Sequence, residues 1–239
     1  IIEAGQKYGL RRVGSKAYIT SGIEGVGWIP SPVPAIYTSP ELRAYREWLP
    51  ATSEEAIGSI GGSFYSPNIE DYYFTPWDLG YGHLVKFDHD FIGRAALERM
   101  ASERHRVKVT LVWDGEDVTQ AIRTMFTEPP GRRAKFIDWP LPRYALWQYD
   151  AVLNERGERI GVSTTCGYSA NFGAILSLAV VDPAYGEPGT RVTLLWGEPN
   201  GGSRKPLVER HVQVSIRATV APVPFADHAR QYLLAARGH

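Results

Sequence analysis

Aromatic side chains with hydrogen-bonding neighbours are the residues of this sequence best suited to chemistry. They concentrate in the first third of the chain, and the set is Tyr18, Glu24, Trp28, Tyr37, Tyr65, Tyr72, Tyr73 and Trp77. Ring faces flanked by a few polar groups suit a flat heteroaromatic ligand. An ordinary core corner uses the same residue types, so the residues leave two interpretations open, a ligand wall and a packing corner.

Motifs for other kinds of catalysis do not occur. The sequence has no Gly-rich phosphate loop, no H-E-x-x-H and no G-x-S-x-G, and its 6 histidines are scattered. Cys166 is the single cysteine, so we expect neither a disulfide nor a thiolate cluster, and cysteine usage favours the cytoplasm. The sequence therefore predicts no metal site.

Charge and hydropathy exclude several kinds of partner. The 26 basic residues equal the 26 acidic residues, so no net field would steer the protein to nucleic acid or to an anionic membrane. No apolar run approaches the roughly 18–20 residues of a membrane helix. With 239 residues and 44% hydrophobic content, the chain can bury a sizeable core.

The elements that must position the rings are of mixed type. Helices are predicted over 2–9, 39–49 and 90–103, the second of them with Ser-Pro at its start. Strands are predicted over 16–20 and 83–87.

The sequence pattern changes near residues 104–106, from mixed helix and loop segments to short β runs. Short β runs separated by turns then follow one another to about residue 221, and a helix is predicted over 227–237. Regularly spaced short strands with turn signals are typical of a small antiparallel barrel or sandwich. We therefore predict an α+β protein with one part over 1–104 and a β part over 105–239.

Three blocks resemble, in order, segments of the glycine-cleavage T-protein (aminomethyltransferase) family. EAGQKYGLRRVGSKAYITSGIEGVGW (3–28) resembles the turn and strand that present the family's folate-contacting acid. FTPWDLGYGHLVKFDHDFIGRAALE (74–98) is similar to its T/S-P-x-E-x-G-L-x-x-x-V and D-F-I-G-R-x-A-L motifs. DAVLNERGERIGVSTTCGYSANFGAILSLAVVD (150–182) is similar to its C-terminal barrel pattern. The resemblance implies that 1–104 is the C-terminal part of the folate-binding domain.

Details within these blocks point to one branch and depart from another. SFYSPNIEDYYFTPWDLGYG (63–82) resembles the tetrahydrofolate-dependent aryl O-demethylases of vanillate, syringate or 3-O-methylgallate. Asp78 stands where the family's acid has a longer arm, and Ala170 replaces the proline of its Y-S-P. The L-R-L-E-A-G strand of aminomethyltransferases is replaced by YITSGIEG (18–25), which argues against handling a lipoyl-bound aminomethyl group.

The resemblance implies a methyltransferase that moves a methyl group from a methoxy-aromatic acid to tetrahydrofolate, a reaction of lignin-aromatic degradation and one-carbon metabolism. Tyr18 is the expected catalytic residue, since a phenol has a pKa near 10, close to that of the phenol released. Five further residues are expected to bind the cofactor or support its cleft: Glu24 towards the pterin N–H groups, Trp28 by stacking, and Tyr73, Trp77 and Arg94.

Family members carry a large N-terminal part ahead of the segments matched here. We therefore expect an N-terminal half or a partner subunit, on which activity depends. Two alternatives stay open: a folate-binding or assembly module without methyl transfer, and a demethylase for a sulfonium or N-methyl donor.

Overall fold

A computed structural model of the chain describes residues 1–29, 33, 39–50, 60–142, 144–202 and 208–237, so Tyr37 lies outside the described residues. The α-helices are α1 (Ile2–Gln6), α2 (Ser15–Ser21), α3 (Arg43–Trp48), α4 (Arg94–Met100), α5 (Gly115–Thr127) and α6 (Asp227–Arg237). The strands are β1 (Ile60–Gly61), β2 (Val107–Trp113), β3 (Trp147–Gln148), β4 (Asp150–Leu153), β5 (Arg159–Ser169), β6 (Ala174–Val181), β7 (Arg191–Trp196) and β8 (Val214–Ala221).

The β part is a closed antiparallel barrel. Its strands follow the order β2-β6-β5-β4-β7-β8, and β8 returns to pair with β2. Closure pairs the edge strands, which removes the unpaired edge that an open sheet would present. The barrel and the helices around it confirm the predicted α+β fold.

Strand β6 is buried on both faces, which explains its continuous apolar sequence. Ile175 and Ala179 point into the barrel core. Leu176, Leu178 and Val180 point outward, where they form a second cluster with residues from the N-terminal segment. Since successive side chains of a strand alternate between its faces, the second cluster places a layer of chain against the outside of the barrel.

The ring-rich segment supplies much of this outer layer. Phe64, Tyr72 and Tyr149 form an aromatic group, with Tyr72 edge-on to Phe64 at 4.9 Å and to Tyr149 at 5.4 Å between ring centroids. Phe74 stacks on Tyr149 at 5.5 Å and also packs against the cluster on β6. For these rings, packing is therefore the role that the contacts support.

Helix α5 is an element that the sequence interpretation did not include. The Asp114 carboxylate accepts a hydrogen bond from the Asp117 backbone N–H at 3.0 Å and caps the helix. Val118, Ala121 and Met125 then recur at helical spacing against the barrel core. Both signals are in the sequence.

The predicted strand over 16–20 is wrong, because Ser15–Ser21 is helix α2. β-branched Ile19 and Thr20 suggested a strand, but the apolar positions do not alternate. Ile19 and Ile23, four residues apart, line one cavity, which is the period of a helix.

The predicted strand over 83–87 is also wrong. Gly82–Leu84 is a single 3₁₀ turn, and Leu84 is 64% exposed. Gly82 sits so close to Trp77 that a Cβ there would lie 2.3 Å from the indole ring. The expected helix after it is present as α4.

The predicted boundary near 104–106 precedes β2, which begins at Val107. Arg106 Nη2 donates to the Asp78 carboxylate at 2.9 Å and ties the strand's entry to the TPWD turn. The division into 1–104 and 105–239 stays a prediction.

Candidate active site

A wide helical turn between α2 and Trp28 is the framework of the site. Residues Gly22–Val26 form one turn of π-helix, which ends at Gly27 in the left-handed conformation with φ 65°. A Cβ at Gly27 would lie 2.2 Å from Cγ1 of Val223, so only glycine fits there without displacement. The chain therefore reverses beside the barrel and brings Trp28 back towards α2.

Tyr18 and Trp28 meet around one apolar cavity of about 220 Å³. The described residues that line it are Tyr18, Ile19, Ser21, Gly22, Ile23, Val26, Trp28 and Thr165. Tyr18 is 68% exposed and Trp28 is 47% exposed, so both rings are accessible at its mouth. Ligand pockets typically enclose roughly 300–1,000 Å³, so this cavity has the size of part of a site.

A bulge in β5 brings Thr165 to the cavity. Ser163 pairs with Ala179 and Cys166 with Ser177, so Thr164 and Thr165 together oppose Leu178. Without this extra residue, the alternation of the strand would turn Thr165 inward and Cys166 outward. Cys166 instead lies in the barrel core. Sequence reasoning missed Thr165, because no residue pattern locates a bulge of this kind.

Glu24 lies on the same turn, but the residues that line the cavity do not include it. Its side chain is buried, and Oε2 accepts a hydrogen bond from Asn171 Nδ2 at 2.8 Å. Its carbonyl oxygen accepts from the Ala226 backbone N–H at 2.8 Å. The carboxylate is therefore directed at the turn between β5 and β6.

Tyr73 and Trp77 lie in the TPWD corner, and neither is among the described residues that line the cavity. Trp77 stacks on His105 with ring centroids 4.7 Å apart and planes 7° apart. The Tyr73 hydroxyl is buried and has no hydrogen-bond partner within the described parts of the chain. The structure thus brings together two of the predicted site residues, Tyr18 and Trp28, and places these two elsewhere.

Asp78 occupies the position of the family's acid, and its contacts are structural. One oxygen accepts from the Thr75 backbone N–H at 2.9 Å, and Arg106 forms an ion pair with the same oxygen at 2.9 Å. Its side chain is 5% exposed. The first contact closes the TPWD turn, and the second ties the turn to the entry of β2.

Arg94 forms ion pairs within its own segment. Its guanidinium contacts Glu98 at 2.8 Å and Asp90 at 3.3 Å, and it donates to the His89 carbonyl at 2.9 Å. Arg94 is one of the residues expected to bind the cofactor or support its cleft. These contacts are pairings with carboxylates that stabilise the start of α4.

A buried ionic cluster in the barrel was not singled out in the sequence. Lys135 is 0% exposed, and its Nζ lies 3.0 Å from Glu198 Oε1. His211 faces Glu198 with its Nε2, which lies 2.9 Å from the Glu198 backbone nitrogen and 3.2 Å from Oε2. Burial opposes the charge of Glu198, but its contacts with His211 and Lys135 outweigh this and lower the pKa of its carboxyl to about 2.

Glu198 also tethers the pre-barrel segment, because its Oε1 accepts from the Gly62 backbone N–H at 3.1 Å. Burial raises the pKa of the neighbouring Asp150, whose Oδ1 accepts from the Ser63 backbone N–H at 3.0 Å. These buried contacts hold residues 62–63 on the barrel, and nothing in them requires a ligand.

The described residues contain no group of three or more His, Cys, Asp or Glu side chains arranged to hold a metal ion. None of the helices they form has the length and apolar character to cross a membrane.

No protein-family model matches the chain. Known proteins that are similar to it include the following three. Syringate O-demethylase of a Sphingobium species is 48% identical over 230 residues, covering 96% of this chain and 49% of the relative. Sesamin methylene transferase of a Sinomonas species is 32% identical over 247 residues, covering 95% and 50%. Aminomethyltransferase of Streptomyces coelicolor is 37% identical over 122 residues, covering 48% and 25%. The chain spans about half the length of the first two.

Proposed function

Because this chain belongs to the aminomethyltransferase family and to its O-demethylase branch, we propose that the whole protein transfers a methyl group from a methoxy-aromatic acid to tetrahydrofolate. The observation that carries this proposal is the similarity to a syringate O-demethylase over nearly the whole chain. A second relative is named a methylene transferase, which is also a one-carbon transfer enzyme.

The residues present suit the ring systems that this reaction requires. Trp28 and Tyr18 flank an apolar cavity, and its lining also includes the hydroxyl-bearing residues Ser21 and Thr165. Aromatic faces with few polar groups are suited to a flat ring. We assign Trp28 to stacking on the pterin or aminobenzoyl ring, and Tyr73, Trp77 and Arg94 to support of the surrounding cleft.

Tetrahydrofolate, when bound, supplies the N5 nucleophile that accepts the methyl group. The methyl–oxygen bond of the aryl ether breaks, and its electron pair stays on the ether oxygen. Tyr18 donates its phenolic proton, or a hydrogen bond, to that oxygen. The proton that leaves N5 on methylation ends on the released phenol, directly or by restoring the Tyr18 hydroxyl. A tyrosine suits this step because phenols as a class have a pKa of about 10, so a proton passes between two phenols at little free-energy cost. The fold contributes orientation, an effect of several kcal/mol in well-aligned reactions.

We further propose that an N-terminal half, attached or supplied as a partner subunit, completes the cleft. The cavity described above has only part of the volume of a typical site, and the two relatives are about twice as long as this chain. The single cysteine, Cys166, is buried and unpaired, and on this cysteine usage we place the reaction in the cytoplasm.

The test is a titration of the complete enzyme with tetrahydrofolate followed by product analysis with vanillate, syringate and 3-O-methylgallate. We expect methyl-tetrahydrofolate and the demethylated phenol in equal amounts. Binding of tetrahydrofolate without any product from these donors would contradict the proposal and favour a folate-binding module. If methyl-tetrahydrofolate forms only from a sulfonium or N-methyl donor, the result would favour the alternative that the protein is a demethylase for such donors.

A further inference from the structure

The turn Gly22–Val26 has two faces with different surroundings. Gly22, Ile23 and Val26 line the cavity between Tyr18 and Trp28. Glu24, between them in the chain, is 8% exposed and is directed at the barrel. One short element therefore carries the wall of the candidate site on one side and an attachment to the scaffold on the other.

Two hydrogen bonds attach this turn to the chain around the barrel, and a ring contact lies beside them. Asn171 Nδ2 donates to Glu24 Oε2 at 2.8 Å, and the Ala226 backbone N–H donates to the Glu24 carbonyl at 2.8 Å. Phe172 and Phe225, next to these two donors, meet edge-on with centroids 4.8 Å apart. Asn171 is thus the one side-chain donor to the Glu24 carboxylate within the described residues.

A buried carboxylate is costly unless it accepts hydrogen bonds, so Glu24 needs a donor to remain in this place. The backbone of Glu24 is continuous with α2. The Tyr18 N–H donates to the Gly14 carbonyl at the start of this helix, and the Gly22 N–H donates to the Tyr18 and Ile19 carbonyls at its end. A displacement of Glu24 therefore moves the wall that separates Tyr18 from Trp28.

We propose that Glu24 and Asn171 are positioning residues: their hydrogen bond fixes the turn so that Tyr18 and Trp28 face a common ligand space. This inference rests on the proposed function and revises one expectation within it. Glu24 acts by holding the site together, and it does not contact the pterin. The accepting oxygen matters for this role, and the negative charge does not.

The experiment uses the complete enzyme with Glu24→Gln, Glu24→Ala and Asn171→Ala, each in the wild-type and the Tyr18→Phe background. Glutamine keeps the oxygen that accepts from Asn171, so we expect kcat and the KM for tetrahydrofolate within about threefold of wild type. Each alanine variant loses the hydrogen bond and leaves a polar partner unsatisfied, and we expect kcat to fall roughly tenfold. Asn200→Ala, at an exposed asparagine in another loop, serves as the matched control.

Coupling to Tyr18 separates positioning from a general structural role. If Asn171 acts through Tyr18, Asn171→Ala lowers kcat by less than about twofold in the Tyr18→Phe background. Hydrogen exchange gives a readout independent of activity. The amides of residues 18–28 exchange faster in Asn171→Ala than in wild type or Asn200→Ala.

Three results would overturn the inference. Glu24→Gln raising the KM for tetrahydrofolate about tenfold, with the aromatic KM unchanged, shows direct contact with the cofactor. Equal losses from Asn171→Ala in both backgrounds show that Asn171 does not act through Tyr18. Unchanged hydrogen exchange in Asn171→Ala shows that the Glu24–Asn171 hydrogen bond does not hold the turn. A wild-type enzyme that forms no methyl-tetrahydrofolate would instead contradict the proposed function on which the inference rests. Hydrogen exchange would still report whether the Glu24–Asn171 hydrogen bond holds the turn.

Discussion

At the scale of single residues, Tyr18 combines accessibility with a defined setting. It is 68% exposed, yet it shares a cavity with Trp28 and with Thr165 from the barrel. The proposed proton donor is therefore an accessible side chain at the mouth of a cavity.

Replacing Tyr18 with phenylalanine removes the hydroxyl and keeps the ring. We expect kcat of the complete enzyme to fall about 10²–10⁴-fold, the usual contribution of a positioned general acid. The KM for either substrate changes little, since the stacking surface remains. Tyr8→Phe, at a tyrosine that is 79% exposed, is the control in steady-state kinetics. A Tyr18→Phe enzyme that keeps its rate excludes the assignment.

Glu198 makes the stability of the barrel sensitive to acid. The pKa of its carboxyl is about 2 in the folded protein against an ordinary 4.5. A carboxyl whose pKa is lowered by folding stabilises the folded state at pH values above its ordinary pKa. This contribution is lost as the pH falls from about 4.5 towards 2.

We expect the unfolding free energy of the wild type to fall by about 3 kcal/mol more than that of Glu198→Gln over this range. Urea unfolding at several pH values measures this difference. Glu47→Gln, at an exposed ion pair with Arg43, should follow the wild type. Parallel pH profiles for wild type and Glu198→Gln would refute the role given to Glu198.

At the scale of elements, the turn that ends at Gly27 fixes the spacing between α2 and Trp28. Its left-handed φ of 65° and its approach to Val223 both require the absence of a side chain. The site is therefore built by a backbone conformation and by the contact of that backbone with the barrel.

Gly27→Ala tests this element. Gly9 offers a matched control, because its φ is also left-handed, at 72°, but nothing lies within 4 Å of a Cβ there. Both variants incur the conformational cost of about 1–2 kcal/mol. Gly27→Ala adds a clash with Val223, so we expect it to lower the unfolding free energy by about 1–3 kcal/mol more than Gly9→Ala. Equal losses would show that Val223 yields without cost.

The sequence predicts the barrel better than it predicts the site. The antiparallel β part is predictable because each short strand and each turn is marked by residues of its own local segment. The segment over 16–20 is predicted wrongly, because β-branched residues suggest a strand while contacts with the barrel select a helix. Thr165 and Asn171 could not be found, since a bulge and a hydrogen bond over 147 positions depend on the assembled fold.

At the scale of the whole molecule, the pre-barrel segments form a layer on the outside of the barrel. Phe74 belongs to this layer and packs against both outer clusters. The proposed N-terminal half would then cover the cavity from the side that the barrel leaves open, and exclude water from the reaction. Such a cover would explain why Tyr18, the proposed catalytic residue, is largely exposed in this chain alone.

The most direct test of methyl transfer follows the carbon atom itself. The complete enzyme is given syringate with a ¹³C-labelled methoxy group and excess tetrahydrofolate, and the label is followed by ¹³C NMR. We predict that the label appears on N5 of tetrahydrofolate at the rate of phenol formation, and that Tyr18→Phe slows both equally. Label that stays on the aromatic ring, or leaves as methanol or formaldehyde, would contradict methyl transfer to tetrahydrofolate.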